Sequence, residues 1–224
     1  MNALPGTTGR RRIYLMRHGH VDYLHPRVAE TGDTNSVPLT RLGREQATAS
    51  GKALAHVRFD VAISSGYPRT RETLDLVLAE NEHEVPQHEH EPDLVEVHGG
   101  RMQVLRSRRE LAAAMAFQFD AAAQPGARMF EGGELFADAL TRAERAILRL
   151  LARPDWHTAI VTAHEGINRV VLGWMTGNGL AAVQSFEQDL ACIDVLDFDL
   201  VPKVEGEGVE ITRRVNEIAT TMGG

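Results

Sequence analysis

Residues 13–20 read IYLMRHGH, an apolar run that stops at Arg17 and His18. The first four residues are branched, aromatic or bulky and carry no charge, which is typical of a short buried β-strand. Either this strand simply finishes in solvent, or it presents an arginine and a histidine at a functional edge of a sheet. The rest of the sequence favours the second interpretation.

Two further apolar runs end beside residues of the same kinds. DVAISS, residues 60–65, leads to Arg69 at a helix start, and TAIVTA, residues 158–163, leads directly to His164. Strands that alternate with helices predict an α/β sandwich around a mostly parallel sheet. Ligands bind such sheets outside the carboxyl ends of the strands. If these strands are neighbours, two arginines and two histidines converge on one edge.

Apolar periodicity and capping residues predict the helices. Thr40 is expected to cap the first helix, and Pro68 is expected to begin the second, which ends near Ala79. The apolar face of the first helix is predicted to carry Leu42, Ala49, Ala53 and Val57. Later helices are expected around Leu111, Met115 and Phe119, over residues 135–151 and over residues 164–177.

The remaining segments are predicted as late strands and loops. Residues 191–199 alternate as a strand, and residues 209–215 fit a last strand on an edge of the sheet. Residues 19–38 and 81–103 are polar and are expected to be irregular. The histidines of the second loop match no zinc spacing, so we expect a solvated loop with incidental metal affinity rather than a metal site.

Composition limits the function classes. The 224 residues are 43% hydrophobic and 25% charged, as in an ordinary globular protein, and the net charge of −7 argues against a nucleic-acid or polybasic membrane role. Cys192 is the only cysteine, which suits a reducing compartment. No stretch reads as a membrane span or signal peptide. We therefore expect a cytoplasmic protein with a single domain over residues 1–224, in which residues 1–12 form a flexible tail.

The expected cluster of arginines and histidines suits a phosphate. Arginine binds phosphate oxygens through two N–H groups, and a neutral histidine can attack phosphorus. A leaving alkoxide also needs a proton, so a carboxylic acid should stand nearby. The residues by themselves leave four candidates in HEHEPDLVEVHGG, residues 88–100: Glu89, Glu91, Asp93 and Glu96.

Four motifs together carry a resemblance to a known family. They are LMRHG at residues 15–19, PLTRLGREQA at 38–47, SSGYPRTRET at 64–73 and VTAHEG at 161–166. In this order and spacing, from about Ile13 to Phe198, the chain resembles the histidine phosphatase superfamily, in the branch that includes cofactor-dependent phosphoglycerate mutases. The resemblance implies a phosphoglycerate mutase-like three-layer sandwich, with a mostly parallel central sheet flanked by helices and a cap-like insertion at about residues 97–134.

The resemblance also implies roles for individual residues. His18 would be the nucleophile that forms a phosphohistidine, and Glu96, in DLVEVHGG, would be the acid. The phosphoryl group would be held by Arg17, Arg69 and His164. Thr31 and Gly32 resemble a loop that touches substrate. The implied mechanism uses no metal and no cofactor.

The chain departs from the family pattern at several positions. His20 stands where the family often has Glu or Gln, and Glu165 stands where a glycine is usual after the second histidine. A carboxylate so near a dianion could weaken binding unless its place in the first helical turn directs it outward. These departures concern the substrate and the rate, and they leave the fold prediction intact.

The predicted function is a phosphomonoesterase that acts on a small phosphorylated metabolite through a phosphohistidine. Two alternatives stay open at this point: phosphoryl transfer of the phosphoglycerate mutase type, and a catalytically idle module that binds phosphoesters. The expected partner is a small phosphate monoester, with no nucleic acid and no membrane, and a homodimer is an open alternative to a monomer.

Overall fold

The computed structural model describes residues 9–23, 30, 33–100, 109, 116–205 and 208–217. Within these residues a single six-stranded sheet is formed by β1 (Arg10–Arg17), β2 (Val61–Ser64), β3 (His88–His90), β4 (Thr158–Ala163), β5 (Ile193–Pro202) and β6 (Val209–Glu217). In the described part of the chain the sheet is accompanied by the helices α1 (Arg41–Leu54), α2 (Pro68–Ala79), α3 (Phe136–Leu151) and α4 (Glu165–Met175). Two 3₁₀ segments cover Pro92–Leu94 and Gly179–Ser185.

The strand order is β3-β2-β4-β1-β5-β6. The pairs β1–β4, β2–β4 and β2–β3 are parallel, whereas β5 runs antiparallel to both β1 and β6. Arg17 stands opposite Ala163, and Ser64 stands opposite Thr162, so β1, β4 and β2 end side by side. The predicted mostly parallel sheet is confirmed, and the three suspected strand ends do meet at one edge.

Alternate residues of β1 divide the core into two layers. Ile13 and Leu15 pack into a cluster with residues of α3 and α4, whereas Tyr14 and Met16 pack into a second cluster with residues of α1 and α2. This period of two places one pair of helices on each face of the sheet. The predicted sandwich of helices around a central sheet is therefore confirmed. No described helix is long and apolar enough to cross a membrane.

The first strand begins at Arg10, so the prediction of a flexible tail over residues 1–12 is wrong for its last three residues. Arg12 makes two hydrogen bonds of 2.7 Å to the buried carboxylate of Asp197. Arg10 binds Asp199 in the same manner, through bonds of 3.0 and 3.3 Å, and thereby lowers the pKa of that carboxyl. Because β1 and β5 are adjacent, these ion pairs extend β1 toward its amino end. Residues 1–8 lie outside the described residues.

Helix α1 forms as predicted, but the predicted apolar face is wrong. The Thr40 side chain accepts a hydrogen bond from the Gly43 backbone N–H at 3.1 Å and caps the helix. Leu42, however, is 50% exposed. The buried residues of the helix are instead Gly43, Ala47, Ser50, Gly51 and Leu54, and all of them except Leu54 are small. Small side chains let α1 approach α2 and the loop after β1 closely, so the packed face of the helix is the one with the smallest side chains.

Of the segment predicted to be irregular over residues 81–103, the described residues 81–100 are less irregular than predicted. They contain β3, which pairs with β2 so that His88 stands opposite Ala62. His88 contacts Asp75 at 2.7 Å and the hydroxyl of Ser64 at 2.8 Å, so it is a partly buried strand residue rather than a solvated loop residue. The described residues contain no group of three or more His, Cys, Asp or Glu that could hold a metal ion. Leu111 and Met115 of the third predicted helix lie outside the described residues.

Two glycines allow the loop after β1 to touch α1. A Cβ atom on Gly43 would lie 2.2 Å from the backbone oxygen of His20, and a Cβ atom on Gly19 would lie 2.3 Å from the backbone oxygen of Gly43. Real Cβ atoms essentially never approach other atoms so closely. Gly19 and Gly43 therefore make one backbone contact possible, and this contact fixes the loop directly after His18.

We expect Gly43→Ala to lower the free energy of unfolding by about 1–3 kcal/mol, since overpacking against rigid backbone costs about that much. Alanine also has a higher helix propensity than glycine, by about 1 kcal/mol, so the net loss should fall toward the lower end of this range. Urea denaturation would measure it. Gly99→Ala is the control, because its Cβ would lie 3.8 Å from the Met129 sulfur, an ordinary contact. Equal stability of the two variants would contradict the close-contact interpretation.

Candidate active site

The parallel strands place two histidines in contact at the carboxyl edge of the sheet. The His18 backbone N–H donates to the Ala163 carbonyl at 3.1 Å, which continues the β1–β4 pairing by one residue. The rings of His18 and His164 lie 5.2 Å apart, tilted by 69°. A cavity of about 980 Å³ opens beside them and is lined in part by Arg17, His18, Arg69 and Glu96. The structure therefore brings the predicted cationic residues and Glu96 to one site.

His18 is held as a neutral imidazole with one nitrogen unprotonated. Its side chain is buried, and Nδ1 lies 2.7 Å from the Gly19 carbonyl oxygen. Because a carbonyl only accepts hydrogen bonds, Nδ1 carries the proton and Nε2 keeps its lone pair. Burial lowers the pKa of His18 to about 3, with a further contribution from the positive charge of Arg69. A neutral imidazole with a free Nε2 lone pair can act as a nucleophile.

His164 is fully buried and is oriented by two hydroxyls. Its Nε2 lies 2.8 Å from Ser65 Oγ, and Ser65 Oγ lies 3.0 Å from Thr70 Oγ1. Thr70 donates its own proton to the Tyr67 carbonyl at 2.9 Å, so Ser65 donates to Thr70 and accepts from His164 Nε2–H. Burial, followed by the charge of Arg69, lowers the pKa of His164 well below its usual value. Its Nδ1 is buried without a partner among the described residues.

Arg17 and Arg69 each leave one buried N–H group unmatched. The Arg69 Nη1 donates to the carbonyls of Thr34 and Asn35 at 3.1 and 3.2 Å, and the Arg17 Nη1 donates to the carbonyl of Gln188. In both guanidinium groups Nε is buried and has no partner in the described part of the chain. Buried donors without partners are costly, so an anion placed between them would be stabilised.

Glu96 accepts hydrogen bonds from the backbone at the start of α4. Oε1 accepts from Val97 N at 2.8 Å and from Ile167 N at 3.0 Å, and Oε2 accepts from Gly166 N at 3.2 Å. Desolvation by the surrounding protein raises the pKa of Glu96 more than these hydrogen bonds lower it. The raised pKa favours the protonated form of Glu96, and a protonated carboxyl group that lines the cavity can donate a proton.

The other three candidate acids contact arginines of α3 and the residues after it. Asp93 lies 2.9 Å from Arg145, Glu91 lies 2.8 Å from Arg149, and Glu89 lies 2.8 Å from Arg153. The carboxylates follow one another at every second position, and the arginines at every fourth. None of the three acids lines the large cavity, whereas Glu96 does.

Arg142 is a site residue that sequence analysis missed. It makes hydrogen bonds of 2.6 and 2.9 Å to the carboxylate of Glu134. It also donates to the carbonyls of Asp93, Val95 and Glu96, at 2.6, 2.9 and 3.2 Å. Arg142 thus fixes the backbone that carries Glu96. An arginine on an amphipathic helix is usually exposed, so its sequence gave no signal of this contact.

Glu165 lines the cavity and contacts Arg17, so the first turn of α4 does not direct it outward, and of the two possibilities left open for this carboxylate the one near the ligand applies. Its Oε2 lies 2.9 Å from Arg17 Nη2, and its Oε1 lies 2.8 Å from Arg169 Nη2. The i, i+4 spacing on α4 allows the second contact, and the end of β1 beside α4 allows the first. Thr31 and Gly32 lie outside the described residues, as do residues 101–108 and 110–115 of the predicted cap-like insertion.

Glycine pairs join the two ends of the insertion. A Cβ atom on Gly100, which has φ of +83°, would lie 2.4 Å from Gly133 N, and a Cβ atom on Gly133 would lie 2.7 Å from the Gly99 carbonyl oxygen. The Glu134 N–H donates to the His98 carbonyl at 2.8 Å. Residues 98–100 and 131–134, near the two ends of the predicted cap-like insertion, therefore meet at the wall of the cavity.

Comparison with known proteins agrees with this geometry. The sequence profile of the histidine phosphatase superfamily (branch 1) matches residues 13–202. The adenosylcobalamin/alpha-ribazole phosphatase of Escherichia coli is 28% identical over 193 residues, which cover 84% of this chain and 90% of the relative.

Solved structures share the fold, which confirms the predicted phosphoglycerate mutase-like architecture. The alpha-ribazole phosphatase of Shigella flexneri superposes with a TM-score of 0.62 at 23% identity, over 90% of this chain and 95% of that one. A mycobacterial glucosyl-3-phosphoglycerate phosphatase superposes with a TM-score of 0.69 at 20% identity, over 93% of this chain and 98% of that one.

Gly166 leaves room for the carboxylate of Glu96. A Cβ atom on Gly166 would lie 2.7 Å from Glu96 Oε1. We expect Gly166→Ala to push the carboxylate away from the start of α4 and leave N–H groups unpaired, which would lower the free energy of unfolding by about 1–3 kcal/mol. Thermal denaturation would measure this change.

A double-mutant cycle provides the control. If the clash is with the carboxylate, Gly166→Ala should cost markedly less stability in a Glu96→Ala background than in the wild-type protein. The same cost in both backgrounds would show that the alanine disturbs another contact.

Proposed function

The chain belongs to branch 1 of the histidine phosphatase superfamily, and from this premise we propose that it hydrolyses a small phosphate monoester through a phosphohistidine on His18. The observation that carries the proposal is the neutral, buried His18 with a free Nε2, placed beside two unmatched arginine N–H groups and His164. The names of the alpha-ribazole phosphatase relatives support hydrolysis over a mutase reaction.

In the first proposed step, His18 Nε2 attacks phosphorus and the bond from phosphorus to the ester oxygen breaks. The Nδ1–H bond to the Gly19 carbonyl stabilises the positive charge that develops on the imidazole. Arg17 and Arg69 offset the negative charge on the equatorial oxygens. Glu96 gives its proton to the departing alkoxide, which leaves as an alcohol.

His164 is proposed to bind the phosphoryl group through Nδ1. In the free protein this nitrogen carries no proton, because Ser65 accepts from Nε2–H. Entry of a phosphate dianion favours the charged form of the buried imidazole, so His164 takes up a proton and donates it in a hydrogen bond to a phosphoryl oxygen.

In the second proposed step, water attacks the phosphohistidine. Glu96, now a carboxylate, accepts a proton from the water, the P–N bond breaks, and His18 returns to its neutral form. The products are inorganic phosphate and an enzyme ready for another cycle. We also propose a cytoplasmic setting, which the single cysteine Cys192 supports, and a homodimer stays a prediction.

The nucleophile is tested by phosphoenzyme trapping. We expect His18→Ala to abolish turnover and to prevent acid-labile, base-stable labelling of the protein by a phosphate monoester. The control is His20→Ala, which removes a neighbouring imidazole bound to Thr40 at 2.8 Å and should leave labelling intact. Labelling that persists without His18 would place the nucleophile elsewhere.

The acid is tested with two leaving groups. Glu96→Gln keeps the shape of the side chain but cannot donate a proton, so kcat/KM for alkyl phosphates should fall by on the order of 10²-fold or more. The nitrophenolate burst with nitrophenyl phosphate should fall much less, because nitrophenolate leaves with little help. Wild-type kcat/KM for alkyl phosphates should also decline as pH rises through the raised pKa of Glu96, since the carboxylate then lacks its proton, and this decline should be absent from Glu96→Gln.

Glu91→Gln is the matched control for the acid. It removes a carboxylate that contacts Arg149, outside the cavity, and both leaving groups should react as in the wild-type protein. Equal burst losses for both leaving groups in Glu96→Gln would assign that residue a purely structural role at the start of α4.

A further inference from the structure

Glu165 places a fixed negative charge beside the proposed phosphate site. Its carboxylate lies between Arg17, at 2.9 Å, and Arg169, at 2.8 Å. Arg169 is itself held in place, because its guanidinium lies 4.6 Å from the centre of the Phe119 ring and only 13% of its side chain is exposed. The carboxylate is therefore bound from both sides and cannot swing away at low cost.

Glu165 uses part of the guanidinium group that would receive the phosphate. Arg17 Nη1 donates to the Gln188 carbonyl, Nη2 contacts Glu165, and the buried Nε is left for a phosphate oxygen. A substrate phosphate thus shares Arg17 with a protein carboxylate. The positive charge near the phosphate site is partly neutralised before any substrate enters.

Elsewhere in the cavity, no arginine of the described lining is unengaged for a second anionic group, and the described lining there also carries the carboxylates of Asp33 and Glu134 and one histidine, His98. Arg142, the remaining arginine of the described lining, is bound to Glu134 and to three backbone carbonyls. A carboxylate or second phosphate on the substrate would therefore lie near protein carboxylates without an unengaged arginine to offset its charge, which is unfavourable.

The walls of the same cavity suit an uncharged group. Tyr67, Met129 and Phe130 line it with aromatic and thioether surface, and Asn35 and Gln118 add neutral polar groups. Such a lining binds hydroxyl-bearing or apolar groups by contact and hydrogen bonds.

We propose that Glu165 is a specificity-determining residue that restricts the substrate to monophosphates of neutral or cationic alcohols and rejects those with a second anionic group. This inference rests on the proposed function, since it assigns the phosphate to Arg17. It deepens that function by giving the chemical class of the alcohol.

The test compares two esters that differ in one group. Glycerol 3-phosphate carries a neutral hydroxymethyl where 3-phosphoglycerate carries a carboxylate. Calorimetry would measure the binding of each to His18→Gln, a variant that cannot form a phosphohistidine. We expect glycerol 3-phosphate to bind at least about tenfold more tightly, equivalent to about 1.4 kcal/mol.

Adding Glu165→Gln should reduce this preference at least fivefold, mainly because 3-phosphoglycerate then binds more tightly. The matched control is Glu45→Gln, which also removes one carboxylate bound to an arginine of a helix, Arg41 at 2.8 Å, but on an exposed surface. That control should leave the preference unchanged. Thermal denaturation of all variants would confirm that they are folded.

The outcomes separate this inference from the proposed function. A preference that Glu165→Gln leaves unchanged, or the failure of both esters to bind, would overturn the role of Glu165. If the binding preference depends on Glu165 as expected but the protein with His18 intact hydrolyses no monoester, the specificity inference stands and the proposed hydrolysis is overturned.

Discussion

The parallel pairing of β1 with β4 is the constraint on which the site depends. Arg17 stands opposite Ala163, so the next residue of each strand is a histidine, and the two rings come within 5.2 Å. The loop after His18 must then turn away at once, and the close contact between Gly19 and α1 makes that turn possible. A side chain at either glycine of this contact would move the loop that holds Nδ1 of His18.

Burial acts on the two proposed proton-handling groups in opposite directions. Desolvation disfavours the charged form of any group, so it lowers the pKa of His18 to about 3 and raises the pKa of Glu96. One environment therefore favours the neutral form of both groups, which is the form that a nucleophilic imidazole and a proton-donating carboxyl group need. The arginines reinforce the first effect, because a second positive charge beside Arg69 is unfavourable.

The sequence predicted those features of the fold that depend on residues close together in the chain. Apolar runs ending at Arg17, Ser65 and His164 predicted three neighbouring strand ends, since burial on both faces leaves a readable pattern. The buried face of α1 could not be read, because glycine and alanine carry little hydropathy signal and their role is close approach to another backbone. The direction of Glu165 was equally hidden, since it depends on β1, which is remote in the chain.

The identity of the acid shows how distant residues decide a local choice. Four carboxylates lie within residues 89–96, and only contacts with α3 distinguish them. Three pair with arginines spaced by one helical turn, and such exposed pairs each add little stability but do fix direction. Arg142, less exposed, binds the backbone carbonyls on either side of Val95 and turns the chain so that Glu96 meets the start of α4. A helix face some 50 residues away thus selects which of these four carboxylates lines the cavity.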